Sequence, residues 1–267
     1  MEFMKMHGAG NDFIIINNIE EQIPEKHFAT LAKRLCQRRL AIGADGLILV
    51  EKAVGEADFR MLFYNSDGSR GEMCGNGARC IARYGFEKGL AGGLQRIETD
   101  AGDIYCERLS EDIYKVRLND VTVMEERGKI TYVELGKPGI SHAVLRVKGL
   151  KKISAEDLRQ RAEEIRFSDS YPKGVNVNFY DFDGKDRIVG LTYEKGVEDF
   201  TLACGTGMGA VAAVLSKKSL IKCNRITAKV PGGELEVVTE GEKLFLIGTA
   251  TPVAEGQILL TQDLVVV

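Results

Sequence analysis

The chain has 267 residues, 44% hydrophobic and 28% charged, with a formal net charge of −3. That balance belongs to a globular protein with material for one large domain or two smaller ones. No basic run is present, which argues against nucleic acid as a partner. Apolar runs such as residues 13–16 and 47–50 are strand-sized, and none in the sequence is long enough to cross a membrane.

The opening stretch MEFMKMHGAGNDF lacks the long apolar segment of a secretory signal, so the expected compartment is the cytoplasm. Within it, HGAGNDFIII reads as a glycine turn feeding a strand, and IPEKHFATLAKRL as an amphipathic helix opened by a proline. GADGLILV reads as a second strand. YNSDGSRGEMC is a turn-rich approach to MCGNGARCIARY, a helix-like segment with a cysteine directly before it. Ile81, Ala82 and Gly85 continue the i, i+3, i+4 spacing from Gly77 and Ala78, the pattern of a buried helix face. A glycine turn and the strand DAGDIYCERL follow.

The same order then returns, displaced by about 130 residues. GKPGISHAVL lies over HGAGNDFIII, ISAEDLRQRAEEI over the first helix, KGVNVNFY over GADGLILV, ACGTGMGAVAAV over the cysteine–glycine helix, and PGGELEVV over the strand after it. Two similar halves are therefore expected, meeting near residues 118–125. Short strands alternating with two helices per half predict mixed α and β layers.

Of six cysteines, Cys36, Cys80, Cys106 and Cys223 read as ordinary small core or strand residues. No CxxC pair occurs and there are only three histidines, so no metal site is expected. Cys74 and Cys204 stand at the starts of the duplicated helices. Unpaired N–H groups there raise a thiol's thiolate fraction and hold a carboxylate, and the adjacent glycines admit a ligand close to the backbone. Halves facing one another across a cleft would let one thiolate remove a proton from a carbon while the opposing thiol returns one to the other face. The competing reading is that both cysteines merely fill space beside glycines.

MHGAGNDFIIIN, GADGLILV, FYNSDGSRGEMCGNGARC, KGVNVNF, LACGTG and VPGG together resemble the diaminopimelate epimerases, amino-acid epimerases that use no pyridoxal phosphate. The resemblance runs from residue 3 to the end. It implies an α/β (α+β) fold of two pseudo-symmetric domains, each a curved mixed sheet around a central helix. The halves would be residues 1–118 plus 253–267 and residues 119–252, with the active site in the cleft between them and a final strand, about 256–267, returning to the N-terminal half. It implies Cys74 and Cys204 as the acid–base pair, with no cofactor. Gly75, Asn76, Gly205 and Thr206 would hold the α-carboxylate, Asn11, Asn65 and Asn176 would line the pocket, and Glu194 would help hold the α-ammonium group. By residue type alone, Asn11 and Asn65 read equally as turn residues.

Three positions depart from the family pattern. Lys195 stands where the family has an arginine for the distal carboxylate, offering a point charge in place of a bidentate fork. Ile140-Ser141-His142 replaces a common Asn-Pro-His, and Phe200 replaces a frequent acidic residue. The leading expectation is interconversion of LL- and meso-diaminopimelate. A racemase of a different amino acid, a single-cysteine thiol hydrolase using His7, His27 or His142, and a non-catalytic amino-acid-binding protein are the alternatives. The expected partner is the small-molecule amino acid, and a homodimer is expected only from the commonness of such assemblies.

Overall fold

The computed structural model describes residues 1–71, 73–137, 139–241 and 243–259. Residue contacts divide the chain into two compact units, Met1–Val116 with the segment from Thr249 onward, and Arg117–Gly248. The first carries β1 (Glu2–Gly8), β2 (Asn11–Asn17), α1 (Asn18–Glu21), α2 (Phe28–Leu35), β3 (Gly46–Glu51), β4 (Phe59–Asn65), β5 (Arg70–Gly71), α3 (Gly75–Glu87), β6 (Leu94–Glu98), β7 (Ile104–Arg108) and β8 (Ile113–Arg117). The second carries β9 (Val121–Arg127), β10 (Ile130–Leu135), β11 (Ile140–Arg146), α4 (Ala155–Arg166), β12 (Asn176–Phe182), β13 (Arg187–Glu194), β14 (Asp199–Thr201), α5 (Gly205–Lys217), β15 (Arg225–Val230), β16 (Gly233–Glu240) and β17 (Lys243–Thr249). A last strand, β18 (Thr251–Gln257), belongs to the first unit.

Strand pairing repeats step for step. Among the described residues the first unit's sheet runs β18-β1-β2-β3-β4-β6-β7-β8, and the second's runs β9-β10-β11-β12-β13-β15-β16-β17. In each, only the two pairs joined through a helix are parallel: β2–β3 and β4–β6, then β11–β12 and β13–β15. A parallel pair needs a crossover, and α2, α3, α4 and α5 supply it. This is a mixed α/β, sheet-dominated fold with two repeated domains.

The units differ at one edge. β9 reaches its place by a hairpin, whereas the equivalent place in the first unit is taken by β18 from the far end of the chain. A returning strand is present at residues 251–257, earlier than the expected 256–267, because β1 offers its edge there, and the Ile258 amide closes it on Met1 O at 2.7 Å. The part of that expectation from residue 260 on lies outside the described residues.

The continuous apolar runs follow from burial on both faces. Phe13, Ile15, Ile48 and Val50 pack with α3, while Ile14, Ile16, Leu47 and Leu49 pack with α2. Both α3 and α5 touch strands from near both ends of their sheets, so each sheet curves about its helix. Every residue of α3 from Gly75 to Gly85 is buried. Such enclosure requires small residues: a Cβ on Gly77 would meet Ile48 and Met61 at 3.2 Å, and one on Gly209 would meet Leu118 at 2.6 Å.

Gly85→Ala tests this enclosure. Its Cβ would lie 2.6 Å from the buried Phe59 ring. Alanine gains up to about 1 kcal/mol of helix propensity, but overpacking costs about 1–3 kcal/mol. Urea unfolding should show net destabilisation, against a control, Gly55→Ala, whose Cβ meets nothing within 4 Å and which should stay within about 0.5 kcal/mol of the parent.

Candidate active site

Each central helix begins at a cysteine in extended conformation: Cys74 at φ −132°, ψ 121° before α3, and Cys204 at φ −118°, ψ 105° before α5. The carbonyl of Cys74 accepts from Ala78 N at 2.7 Å and that of Cys204 from Met208 N at 3.0 Å, so both are true helix entry residues. Cys74 is half-buried and Cys204 is buried at 6% exposure. The first-turn N–H groups beyond each cysteine have no intrahelical acceptor and carry the positive end of the helix dipole. Gly75 and Asn76, and Gly205 and Thr206, occupy those first turns.

In the first unit, Asn11 Oδ1 accepts from Cys74 Sγ at 3.5 Å and from Asn76 Nδ2 at 3.2 Å. Asn11 Nδ2 donates to Asp45 Oδ2 at 2.7 Å, which fixes the amide from its other end. Asp45 is itself held by Arg38 at 2.9 Å, and Arg38 also binds Asp12. Burial alone would raise the Asp12 carboxyl, but hydrogen bonds from Arg38 and Lys5 outweigh it and hold the group below its ordinary value. Asn65 lies at the same sheet end, since its partner Gly46 is also the partner of Phe13. Its side chain donates to Ser69 Oγ at 2.9 Å and closes the β4–β5 turn. So Asn11, Cys74 and Asn76 form one cluster, and Asn65 stands at the same edge with its amide engaged in the turn.

In the second unit the Cys204 thiol lies 3.5 Å from Thr206 Oγ1. Asn176 and Glu194 end up at one sheet edge, because Val177 pairs with Tyr193 in the antiparallel β12–β13 ladder. Asn176 Nδ2 donates to Ser141 O at 3.2 Å, and its Oδ1 accepts from Lys195 N at 2.9 Å. Glu194 Oε2 accepts from Thr201 Oγ1 at 3.0 Å. The Lys195 side chain is exposed.

Other residues singled out in the sequence fall as follows. Phe200 packs edge-on to Tyr193 at 5.3 Å and against Phe179, so its ring belongs to the core beside α4. His142 is fully buried with Nδ1 3.2 Å from Asn178 Nδ2, and its Nε2 has no hydrogen-bond partner. Burial takes its imidazole down to about 3, a poor base for any thiol. Cys36, Cys80 and Cys106 are buried, each thiol pushed up to about 12, mainly by desolvation. Cys223 differs from expectation: it is exposed, in the loop before β15, with Sγ 3.0 Å from Arg225 O.

Sequence reasoning missed Asp45, Asn178 and Arg79. Asn178 occupies an apolar strand and is wholly buried, its Oδ1 accepting from Thr192 Oγ1 at 3.0 Å. It explains Gly207, whose Cβ would stand 2.1 Å from that same Oδ1. The alternation NVNF was the available signal, a polar residue repeated on one face of a buried strand. Among the described residues no group of His, Cys, Asp or Glu is arranged to hold a metal ion, and no helix is long and apolar enough to cross a membrane.

A family model described as diaminopimelate epimerase matches residues 3–125 and 135–253. The chain is 37% identical to the diaminopimelate epimerase of Methanocella arvoryzae, over 97% of this chain and 96% of that one. It is 37% identical to the Aquifex aeolicus enzyme of the same name, over 97% and 98%. Among solved structures, a PhzF-family phenazine biosynthesis protein from Bacillus anthracis matches with TM-score 0.76 at 15% identity, over 97% of this chain and 99% of that one. A hydroxyproline epimerase from Agrobacterium vitis matches with TM-score 0.70 at 15% identity, over 96% and 91%. At such identity these two speak for the fold alone. The relatives define the class as isomerase, an amino-acid epimerase acting on a small-molecule substrate. The chain belongs to the diaminopimelate epimerase family.

The buried imidazole has a measurable consequence. In the unfolded chain His142 binds a proton below its ordinary 6.5, and in the folded state only near 3. The unfolded state therefore takes up more protons in that window, and stability falls as pH drops from 6.5 towards 3, by at most about 1.4 kcal/mol per pH unit from this group. Chemical unfolding at pH 7 and pH 4.5 should show a smaller acid loss for His142→Gln than for the parent. Equal losses would mean that the imidazole does not carry this dependence.

Proposed function

We propose that the protein inverts the α-carbon of diaminopimelate, interconverting the LL and meso forms, by a two-base mechanism in which Cys74 and Cys204 work on opposite faces of one carbon. The observation that carries the reading is the duplication of one device. Topologically equivalent helices, crossing between equivalent strands, each open on a cysteine of the same backbone conformation with small residues behind it.

In this mechanism one cysteine, as thiolate, takes the α-proton, and the other, as thiol, donates a proton to the opposite face. The carbon gains and loses one proton, the configuration inverts, and the two sulfurs exchange protonation states. The first-turn amides at Gly75, Asn76, Gly205 and Thr206 hold the α-carboxylate, whose negative charge grows as the carbanion-like transition state forms. Asn11, Asn65 and Asn176 line the pocket, and Glu194 binds the α-ammonium group. No cofactor takes part. The reaction needs two reduced thiols, a condition the cytosol maintains, and we place the enzyme there.

The distal carboxylate falls to Lys195, which is exposed at the turn after β13 and follows Glu194 directly. A lysine is a weaker and less directional carboxylate ligand than an arginine fork. That substitution favours a second reading, a racemase of another amino acid by the same chemistry. The commitment of Phe200 to the core removes one of the three positions that supported this alternative.

Incubation in deuterated water with LL- or meso-diaminopimelate should give loss of the α-proton NMR signal. Cys74→Ala and Cys204→Ala should each lower racemisation by about 10³-fold or more, as expected for loss of an acid–base group together with its positioning. Exchange confined to another amino acid in a substrate panel would transfer the reading to that substrate. Full activity of either variant would overturn the two-base mechanism.

A further inference from the structure

Arg79 is fully buried on α3, one turn past Cys74, and makes no ion pair with any carboxylate among the described residues. Its guanidinium donates to Thr249 O at 3.2 Å, Gly75 O at 3.3 Å and Asn76 Oδ1 at 2.9 Å. A buried cation without a counter-charge is unusual, since the desolvation penalty is normally met by a paired acid. Gly8 of β1 makes room for it: a Cβ there would stand 2.9 Å from Arg79 Nη2.

We infer that Arg79 is a positioning residue for the first thiol, setting the orientation of Asn76 and through it Asn11, and supplying the fixed positive charge that a Cys74 thiolate needs. The chain of contacts is continuous. Arg79 occupies Asn76 Oδ1, which turns Asn76 Nδ2 towards Asn11 Oδ1, the same atom that accepts from Cys74 Sγ. With Asn11 Nδ2 on Asp45, neither amide can flip without losing a hydrogen bond.

Asn11 and Arg79 act on Cys74 in opposite senses. Asn11 Oδ1 accepts the S–H proton and favours the thiol, but sulfur is a weak donor and the contact is 3.5 Å long. The guanidinium favours the thiolate, and inside a low-dielectric core its field is weakly screened, so the charge prevails. The titratable neighbours on this side of the sheet are few. Arg83, Cys80 and Tyr84 lie on α3 itself, Cys106 faces it from β7, and Tyr114 joins the same core from β8. Lys5 of β1 and Asp12 of β2 pair with each other, and Asp12 with Arg38. They alternate, as does His7, with the residues that pack on α3. On α5 the step equivalent to Arg79 is Gly209, and that helix carries no charged residue before Lys217.

The inference rests on the reading of Cys74 as an acid–base group, and alkylation tests it without any substrate. Iodoacetamide labelling of Cys74 is followed against pH by peptide mass spectrometry in the parent, Arg79→Met and Arg79→Lys. In Arg79→Met the midpoint should rise by about one to three pH units. In Arg79→Lys, which keeps the charge but not the fork, the midpoint should stay near that of the parent, while α-proton exchange falls about tenfold because Asn76 is no longer oriented. An unchanged midpoint in folded Arg79→Met overturns the counter-charge. If that variant does not fold, a displaced midpoint in Arg79→Lys overturns it instead, and undiminished exchange in Arg79→Lys overturns the positioning. Failure of the parent to exchange diaminopimelate at all would count against the substrate reading and leave the alkylation result standing.

Discussion

The constraint on which the rest of this structure depends is the enclosure of a helix by its own sheet. α3 and α5 are buried on nearly every side, so small residues must line their closest approaches and a charge along the helix, as at Arg79, must find its partners in carbonyls and amides. Each helix also presents the polar N–H groups of its start. There the first-turn amides emerge at the end of the sheet, and there the chain places a cysteine. Packing and electrostatics are two results of one arrangement: the enclosure that forces glycine and alanine into the helix also sets the positive end of the helix dipole at a fixed place.

The two units meet this constraint with different polar networks. In the first, Asn11, Asn76 and Asp45 are braced by Arg79 on one side and Arg38 on the other, with charge at both ends of the hydrogen-bond chain. In the second, Asn178, Thr192 and His142 form a neutral network beneath the helix start, and the imidazole stays uncharged because nothing offsets its desolvation. Duplication thus preserved the backbone device and let the surroundings of the two thiols diverge.

Much of this was legible in the residues. The repeat made two similar mixed α and β halves legible, because each copy carried its own punctuation of turns, apolar runs and small-residue helices at matched spacing. Asn65 shows where residue type runs short: the same turn chemistry that makes asparagine common there also engages its amide with Ser69. Phe200 stands where the family pattern has an acidic residue, and its ring turns into the core, because side-chain direction in a three-residue strand is set by its partner β13.

What the sequence determined by itself is local and periodic: the duplication, the helix starts at Cys74 and Cys204, the strands buried on both faces, and the family. What only the tertiary structure decided is which distant polar groups meet. Asp45 reaches Asn11 because parallel pairing brings the starts of β2 and β3 together, and among the described residues Arg79 finds two carbonyls and an amide oxygen in place of an acid. β18 takes the edge of β1 although some 250 residues separate them. No spacing rule encodes such contacts, since they depend on the register of strands far apart in the chain and on the burial that register creates.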